Sequence, residues 1–196
     1  MNNKNKISME YEARVFINEQ KYELIKRQYL NLGDICRVFV NKNTYFDTAD
    51  LYLTNHHIVL RIREIDDSKK ELTLKIKGEK GDIEITHPIS SEIEYQNILN
   101  SHFDEEINKE LINRNVDISN LKIVASLKTE RIEIPFPDYL FVIDKNYYND
   151  KIDFNLEVEA NSRLEAKNYL KAIIAPFKIE YKKDYISKSR RAILRL

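Results

Sequence analysis

Glu10-Tyr11-Glu12-Ala13-Arg14-Val15-Phe16 and Asn155-Leu156-Glu157-Val158-Glu159-Ala160 alternate charged and apolar residues near the two ends of the chain. In a β-strand, residues two apart share a face. Glu10, Glu12 and Arg14 therefore line one face of one strand, and Glu157 and Glu159 one face of another. The apolar residues take the opposite faces. Like charges crowded on one face repel. A metal ion or a row of basic side chains would relieve that repulsion; an ordinary solvated strand face with salt bridges is the plain alternative.

The same alternation recurs between these ends. Over Ile58–Ile65 it puts Val59, Arg61 and Arg63 opposite Ile58, Leu60 and Ile62. Over Leu72–Lys77 it sets Thr73, Lys75 and Lys77 opposite Leu72, Leu74 and Ile76. Asp66–Lys70 and Gly78–Gly81 read as turns, and Asp82–Ile89 as a strand carrying Glu84. Further strands are expected at Met9–Ile17, Cys36–Phe46, Leu121–Pro135, Leu140–Asp144 and Ile152–Ala160, with a short one near Lys178–Tyr181. Helices are expected over Glu19–Leu32, capped by Asn18 and stopped at Gly33, and over Ser162–Ala175. Ser90–Asn115 reads as a helical middle, with Ser91 and Glu94 as a capping box and Ile107, Leu111 and Ile112 as core packing. The tail Lys182–Leu196 reads as partly helical.

About eight hairpin-joined strands with a few helices predict a mainly β, α+β fold, with the sheet closed or strongly curved. If the apolar faces pack on helices, the charged faces line an interior. Buried unpaired charge costs several kcal/mol, so such an interior must hold water, metal or a charged ligand. Residues 1–196 are expected to form one domain.

Composition narrows the function. The 196 residues carry 32 Lys+Arg and 32 Asp+Glu, so no net field draws the chain to nucleic acid or membrane. The twelve tyrosines could stack bases, but interleaved carboxylates would repel a phosphate backbone. The single cysteine, Cys36, excludes an intrachain disulfide and a cysteine zinc site; it reads as a small core residue. Only Gly33, Gly78 and Gly81 are present, too few for a glycine-rich phosphate cradle. Any phosphate must be held by Lys and Arg side chains. His56, His57, His87 and His102 match no metal-ligand spacing, and Ser187 and Ser189 lack a His/Asp pairing. Met1–Ser8 is polar and no apolar run reaches membrane-spanning length, so a cytoplasmic setting is expected.

Two candidate sets emerge. Hard carboxylate oxygens from Glu10, Glu12, Glu157 and Glu159, with Asp144, suit Mg²⁺ or Mn²⁺. Arg14, Arg61, Arg63, Lys75, Lys77, Arg131, Lys188 and Arg190 suit phosphate oxygens, Arg bidentately and Lys as point charges. The alternative for the cations is a basic surface patch, or partners for the carboxylates.

Taken in order, these residues resemble the CYTH superfamily, the triphosphate tunnel metalloenzymes, in its small bacterial single-domain branch. Glu10-x-Glu12-x-Arg14 resembles its Glu-x-Glu-x-Lys signature. Tyr45-Phe46-Asp47-Thr48, Leu60-Arg61-Ile62-Arg63-Glu64, Leu72-Thr73-Leu74-Lys75, Glu84-Ile85-Thr86, Lys128-Thr129-Glu130-Arg131, Val142-Ile143-Asp144, Glu157-Val158-Glu159 and Lys188 before Arg190-Arg191 follow. The resemblance covers about residues 8–191 and implies a closed eight-stranded antiparallel β-barrel, a tunnel with flanking helices.

The resemblance also implies roles. Glu10, Glu12, Glu157 and Glu159 look like metal ligands, with Asp144 nearby, for Mg²⁺ or Mn²⁺. Arg61, Arg63, Lys75, Arg131 and Lys188 look like triphosphate-gripping residues, with Arg190, Lys77 and Glu84 as further tunnel residues. Arg14 stands where the signature has Lys; the charge is kept but not the shape, which puts its role in doubt. The implied activity is a metal-dependent triphosphatase acting on tripolyphosphate, or on a related triphosphate such as ATP or thiamine triphosphate. An adenylate cyclase using the same charges, and a polyphosphate- or nucleotide-binding module without turnover, are the rival readings. Oligomeric state stays open.

Overall fold

The structure is a computed structural model and describes residues 5–31, 33–90, 104–182 and 186–196. Nine strands are present among them: β1 (Lys6–Glu10), β2 (Glu12–Ile17), β3 (Arg37–Asp47), β4 (Ile58–Ile65), β5 (Lys69–Ile76), β6 (Asp82–Ile89), β7 (Lys122–Pro135), β8 (Tyr139–Tyr148) and β9 (Lys151–Ala160). Five helices accompany them: α1 (Glu19–Leu30), α2 (Tyr52–Asn55), α3 (Glu105–Ile112), α4 (Arg163–Ile174) and α5 (Lys188–Leu194). Hydrogen bonding orders the strands β1-β6-β5-β4-β3-β7-β8-β9-β2. The fold is thus mainly β within an α+β class. The count is nine because the strand expected over Met9–Ile17 is interrupted at Tyr11, which separates β1 from β2.

The chain divides into two compact units: Met1–Met9, Lys42–Ser126 and Lys188–Leu196 in the first; Glu10–Asn41 and Leu127–Ser187 in the second. β3 and β7 each run from one unit into the other.

In the first unit, β4, β5 and β6 form an antiparallel meander. Asp66 and Asp67, both with positive φ, make the β4–β5 turn, a conformation that short Asp side chains tolerate. The β5–β6 turn needs Gly78, because a Cβ there would lie 2.3 Å from the Gly81 carbonyl oxygen. The apolar faces of these strands bury Leu60, Ile62, Leu72, Leu74 and Ile85 against Phe46, Leu53, Val116 and Leu121, with Ile107 and Leu111 from α3. Asp104 caps α3 by accepting from the Glu106 and Ile107 amides. Ile112, expected in the core, is 62% exposed on the outer face of α3; helical spacing turns it away from Ile107 and Leu111. The expected Ser91–Glu94 capping box, and His102, lie outside the described residues.

Asp47 organises the end of β3. It is fully buried, and its carboxylate accepts from the amides of Thr48 (2.8 Å), Leu53 (2.8 Å) and Thr54 (2.9 Å) and from the Thr54 hydroxyl (2.6 Å). It thereby caps α2, whose own N-cap residue, Leu51, has a positive φ and no capping side chain. Arg190 of α5 donates to the Thr54 carbonyl at 3.4 Å. Asp47→Ala is expected to destabilise the protein by about 3 kcal/mol, since several donors lose a charged acceptor at once. Urea unfolding measures this; a loss under about 1 kcal/mol would show that water replaces the carboxylate.

In the second unit, β7, β8, β9 and β2 are antiparallel. Their apolar faces pack on α1 and α4: Val15, Ile132, Ile134, Phe141, Ile143, Leu156 and Val158 meet Tyr22, Ile25, Ala166, Leu170 and Ile174. Asn18 caps α1 through the Lys21 amide, and Ser162 caps α4 through the Glu165 amide. β8 extends to Tyr148, past its expected end at Asp144, because Asn149 and Asp150 form a tight turn with both φ positive. Lys178–Tyr181 is not a strand. It follows a 3₁₀ turn over Ala175–Phe177, and Lys178 there is left-handed. Cys36 lies just before β3, half-buried at the core edge, and its thiol donates to the Tyr29 carbonyl.

Candidate functional site

In both units the apolar strand faces cover helices or core, so polar residues gather on the other faces. The second unit's polar face is built from every other residue of four strands. Register sets Arg131 against Asp144, Val142 against Glu157, Glu12 against Glu159 and Arg14 against Glu157. Asp144 is 0% exposed and Glu157 3%. Arg131 grips Asp144 with Nε (2.9 Å) and Nη2 (2.8 Å), and the same Nη2 reaches Glu157 at 3.0 Å. Burial works against the Arg131 charge, but Asp144 and Glu157 outweigh it and hold the guanidinium well above its ordinary pKa.

Arg14 bridges two of the expected metal carboxylates. Its Nη2 donates to Glu12 at 2.5 Å and its Nε lies 2.8 Å from Glu157. A lysine ammonium has neither the fork nor the span for both, so arginine at this signature position does something lysine could not. The Glu159 carboxyl is strongly perturbed. Burial, with Glu10, Glu157 and Glu12 close by, pushes it up to about 7, although Arg131 pulls the other way.

Further along β9 on this face lies a polar ladder that the sequence reading missed. Thr129 donates to Asn146, whose amide donates to Asp153 (2.8 Å) and Asn155 (2.7 Å); Tyr148 donates to Asp153. Alternation back from Glu157 gives Asn155 and Asp153, so the signal was present once the strand was recognised.

The first unit's polar face carries Arg61, Arg63 and Lys75, each beside a carboxylate. Arg61 and Arg63 on β4 stand opposite Thr73 and Glu71 on β5, and Lys75 opposite Glu84 on β6. Arg61 lies 3.4 Å from Glu84. Arg63 donates to Asn43 at 3.0 Å and lies 3.8 Å from Glu71. Lys75 lies 3.8 Å from Asp82. Burial raises the Glu84 pKa, but Arg61, Lys75 and Arg63 together hold it below the ordinary carboxylate value.

The remaining candidates are placed less centrally. Lys77 falls just past the end of β5 and is exposed. Lys188 opens α5, and Arg190 on the same helix is committed to Thr54. Among the described residues, no three His, Cys, Asp or Glu groups are gathered as a preformed metal site. Asp144 and Glu157 are held by arginines instead. The donor chemistry still suits a hard divalent cation: oxygen only, and like-charged around Glu159.

The chain belongs to the CYTH family, whose CYTH domain model matches residues 8–192. It is 29% identical over 167 residues to a Bacillus subtilis (strain 168) protein described as "Putative triphosphatase YjbK", covering 82% of this chain and 86% of that one. Among solved structures, it is similar to a protein from Bacillus halodurans described as a putative adenylate cyclase, with a TM-score of 0.82 and 26% identity over 94% of this chain and 97% of that one. HpAC1 from Hippeastrum, described as a putative adenylyl cyclase with a dominant triphosphatase activity, shares the fold, with a TM-score of 0.76 and 18% identity over 93% and 94% of the two chains.

Proposed function

We propose that this chain is a divalent-metal-dependent triphosphatase that hydrolyses inorganic tripolyphosphate or a related triphosphate. The observation that carries it is the row of carboxylates gathered by the β2–β9 register, Glu12 opposite Glu159 with Glu157 two residues along, an oxygen-donor set whose mutual repulsion a cation would relieve and which pushes the Glu159 carboxyl up to about 7. The relative described as a triphosphatase supports the same reading. We further propose that both units belong to one CYTH domain with the family's eight-stranded tunnel fold, β1 and β2 counting as one strand interrupted at Tyr11. β1 and β2 stand at opposite ends of the strand order yet are separated in the chain by Tyr11 alone.

In this reading Glu10, Glu12, Asp144, Glu157 and Glu159 would hold Mg²⁺ or Mn²⁺, which would supply charge neutralisation to the phosphate oxygens. Arg61, Arg63, Lys75, Arg131 and Lys188 take the anionic oxygens of the triphosphate, and Lys77 and Arg190 are its outer contacts. Water attacks the terminal phosphorus in line, the bond from that phosphorus to its bridging oxygen breaks, the diphosphate portion leaves with that oxygen, and the water's proton passes to solvent. Such transfer needs chiefly positioning and charge compensation, which fixed side chains on rigid strands provide. Arg14 keeps Glu12 and Glu157 in place. The setting is cytoplasmic, and the substrate is a small triphosphate rather than nucleic acid.

Phosphate release is expected from tripolyphosphate with Mg²⁺ or Mn²⁺, to vanish with chelator, and to be slower from ATP. Release that persists in chelator would overturn the metal-dependent reading. The similarity to the Bacillus halodurans protein favours one second reading, ATP cyclisation; cyclic AMP as the main product of ATP would establish it.

A further inference from the structure

Thr73 sits among Arg61, Arg63 and Lys75 and their carboxylate partners, on the middle strand of the β4–β5–β6 meander. It is 0% exposed, and its hydroxyl has no hydrogen-bond partner among the described residues. Both edges of β5 are committed to ladders, with Arg61 opposite Thr73 on one side and Thr86 on the other. The backbone carbonyls around the hydroxyl are therefore already engaged. Buried hydroxyls without a partner are uncommon, and each calls for an explanation.

What covers Thr73 indicates what would bind it. Arg61 on β4 and Glu84 on β6 flank β5, so their backbones stand roughly 10 Å apart, two strand spacings. Their side chains nevertheless meet at 3.4 Å, which they can do only by reaching over β5 beside Thr73. Thr86 steadies the Glu84 end, donating to its carboxylate at 3.3 Å. The protein's own Glu84 carboxylate is thus held between Arg61 at Oε2 and Thr86 at Oε1, with the Lys75 charge also favouring its ionised form. At 3.4 Å the Arg61–Glu84 contact is longer than a good charge-assisted hydrogen bond.

We propose that Thr73 is a ligand-binding residue: its hydroxyl donates to a phosphate oxygen of an anion held by Arg61, Arg63 and Lys75, once the Arg61–Glu84 pair spanning β5 yields to that anion. This rests on the triphosphatase reading and adds to it a neutral donor beside Arg61, Arg63 and Lys75. A hydroxyl there favours a tetrahedral oxyanion close to the strand.

Thr73→Val keeps the side-chain shape and removes the hydroxyl; Thr73→Ser keeps the hydroxyl and removes a methyl. The probe is imidotriphosphate, the tripolyphosphate analogue with NH in the bridges, titrated calorimetrically with Mg²⁺, alongside KM and kcat for tripolyphosphate. Thr73→Val is expected to bind about tenfold more weakly, equivalent to ~1.4 kcal/mol. It should be no less heat-stable than the parent, because it buries no orphan hydroxyl. Thr73→Ser is expected to restore affinity to within about twofold of the parent, the methyl carrying little of the contact. A Thr73→Val protein that binds as the parent does overturns this inference alone. So does one that loses affinity only together with heat stability, with no rescue by Ser. A parent protein that neither binds the analogue nor cleaves tripolyphosphate overturns the triphosphatase reading and this inference with it.

Discussion

Arg131→Met is expected to destabilise the protein by about 3–5 kcal/mol, the usual penalty for stripping one partner from a buried ion pair. Asp144 is fully buried and gives both carboxylate oxygens to Arg131, at 2.9 and 2.8 Å. Glu157 is nearly as buried and shares the same guanidinium at 3.0 Å. Methionine fills much of the arginine volume, so packing changes little and the loss is electrostatic. Glu157 keeps Arg14 at 2.8 Å, so the damage should fall mainly on Asp144. The double variant Arg131→Met/Asp144→Leu is therefore expected to recover most of the stability, because both buried charges leave together. Urea unfolding of the single and double variants in chelator checks this. A single variant within about 1 kcal/mol of the parent would mean that Asp144 is neutralised or hydrated without its arginine.

Such a pair was only half legible in the sequence. The two-residue period of Glu157-Val158-Glu159 and of Arg61-Ile62-Arg63 fixed which side chains share a face, and the fold follows that alternation. It could not say which strands lie next to each other. The bidentate Arg131–Asp144 grip requires β7 and β8 in one particular register. The Arg61–Glu84 contact requires two registers in succession, β4 on β5 and β5 on β6. Pairings of this kind are long-range and leave no local signal. Turn chemistry was also underread. The strand expected over Leu140–Asp144 stops short of Lys145 to Tyr148, although Asn149 and Asp150 alone reverse the chain. Tyr11 has nothing in its type that marks a break, so one expected strand became two. Asp47 lay inside a matched motif as a familiar residue; its work of capping α2 from the end of β3 appeared only with the backbone amides around it. The carboxylates were recognised as a set, but not how thoroughly two arginines occupy them.

Glu159→Gln is expected to reduce metal-dependent phosphate release at least roughly 100-fold, the upper end of the loss seen for removing a mere outer-sphere partner of a metal. The same substitution should change how the metal-free protein responds to pH. The Glu159 carboxyl is raised from 4.5 to about 7, first by burial and then by its carboxylate neighbours, against the pull of Arg131. A raised carboxyl stabilises the fold while protonated. That contribution is complete below the ordinary carboxylate pKa and is lost as pH rises through about 7. At 1.36 kcal/mol per pH unit the loss is at most about 3 kcal/mol. Glu84 is shifted in the opposite direction, so its contribution disappears only on acidification below the ordinary carboxylate range. Between pH 5 and 8 it leaves the Glu159 effect in view. Urea unfolding in chelator is expected to show the parent losing stability across that interval and Glu159→Gln holding level, because a glutamine cannot ionise. Adding Mg²⁺ or Mn²⁺ should restore the parent most strongly at the alkaline end, where the cation competes with fewest protons. A variant that keeps full turnover would remove Glu159 from the metal set. A variant with the parent's pH slope would show that the charge crowding is relieved elsewhere on the face.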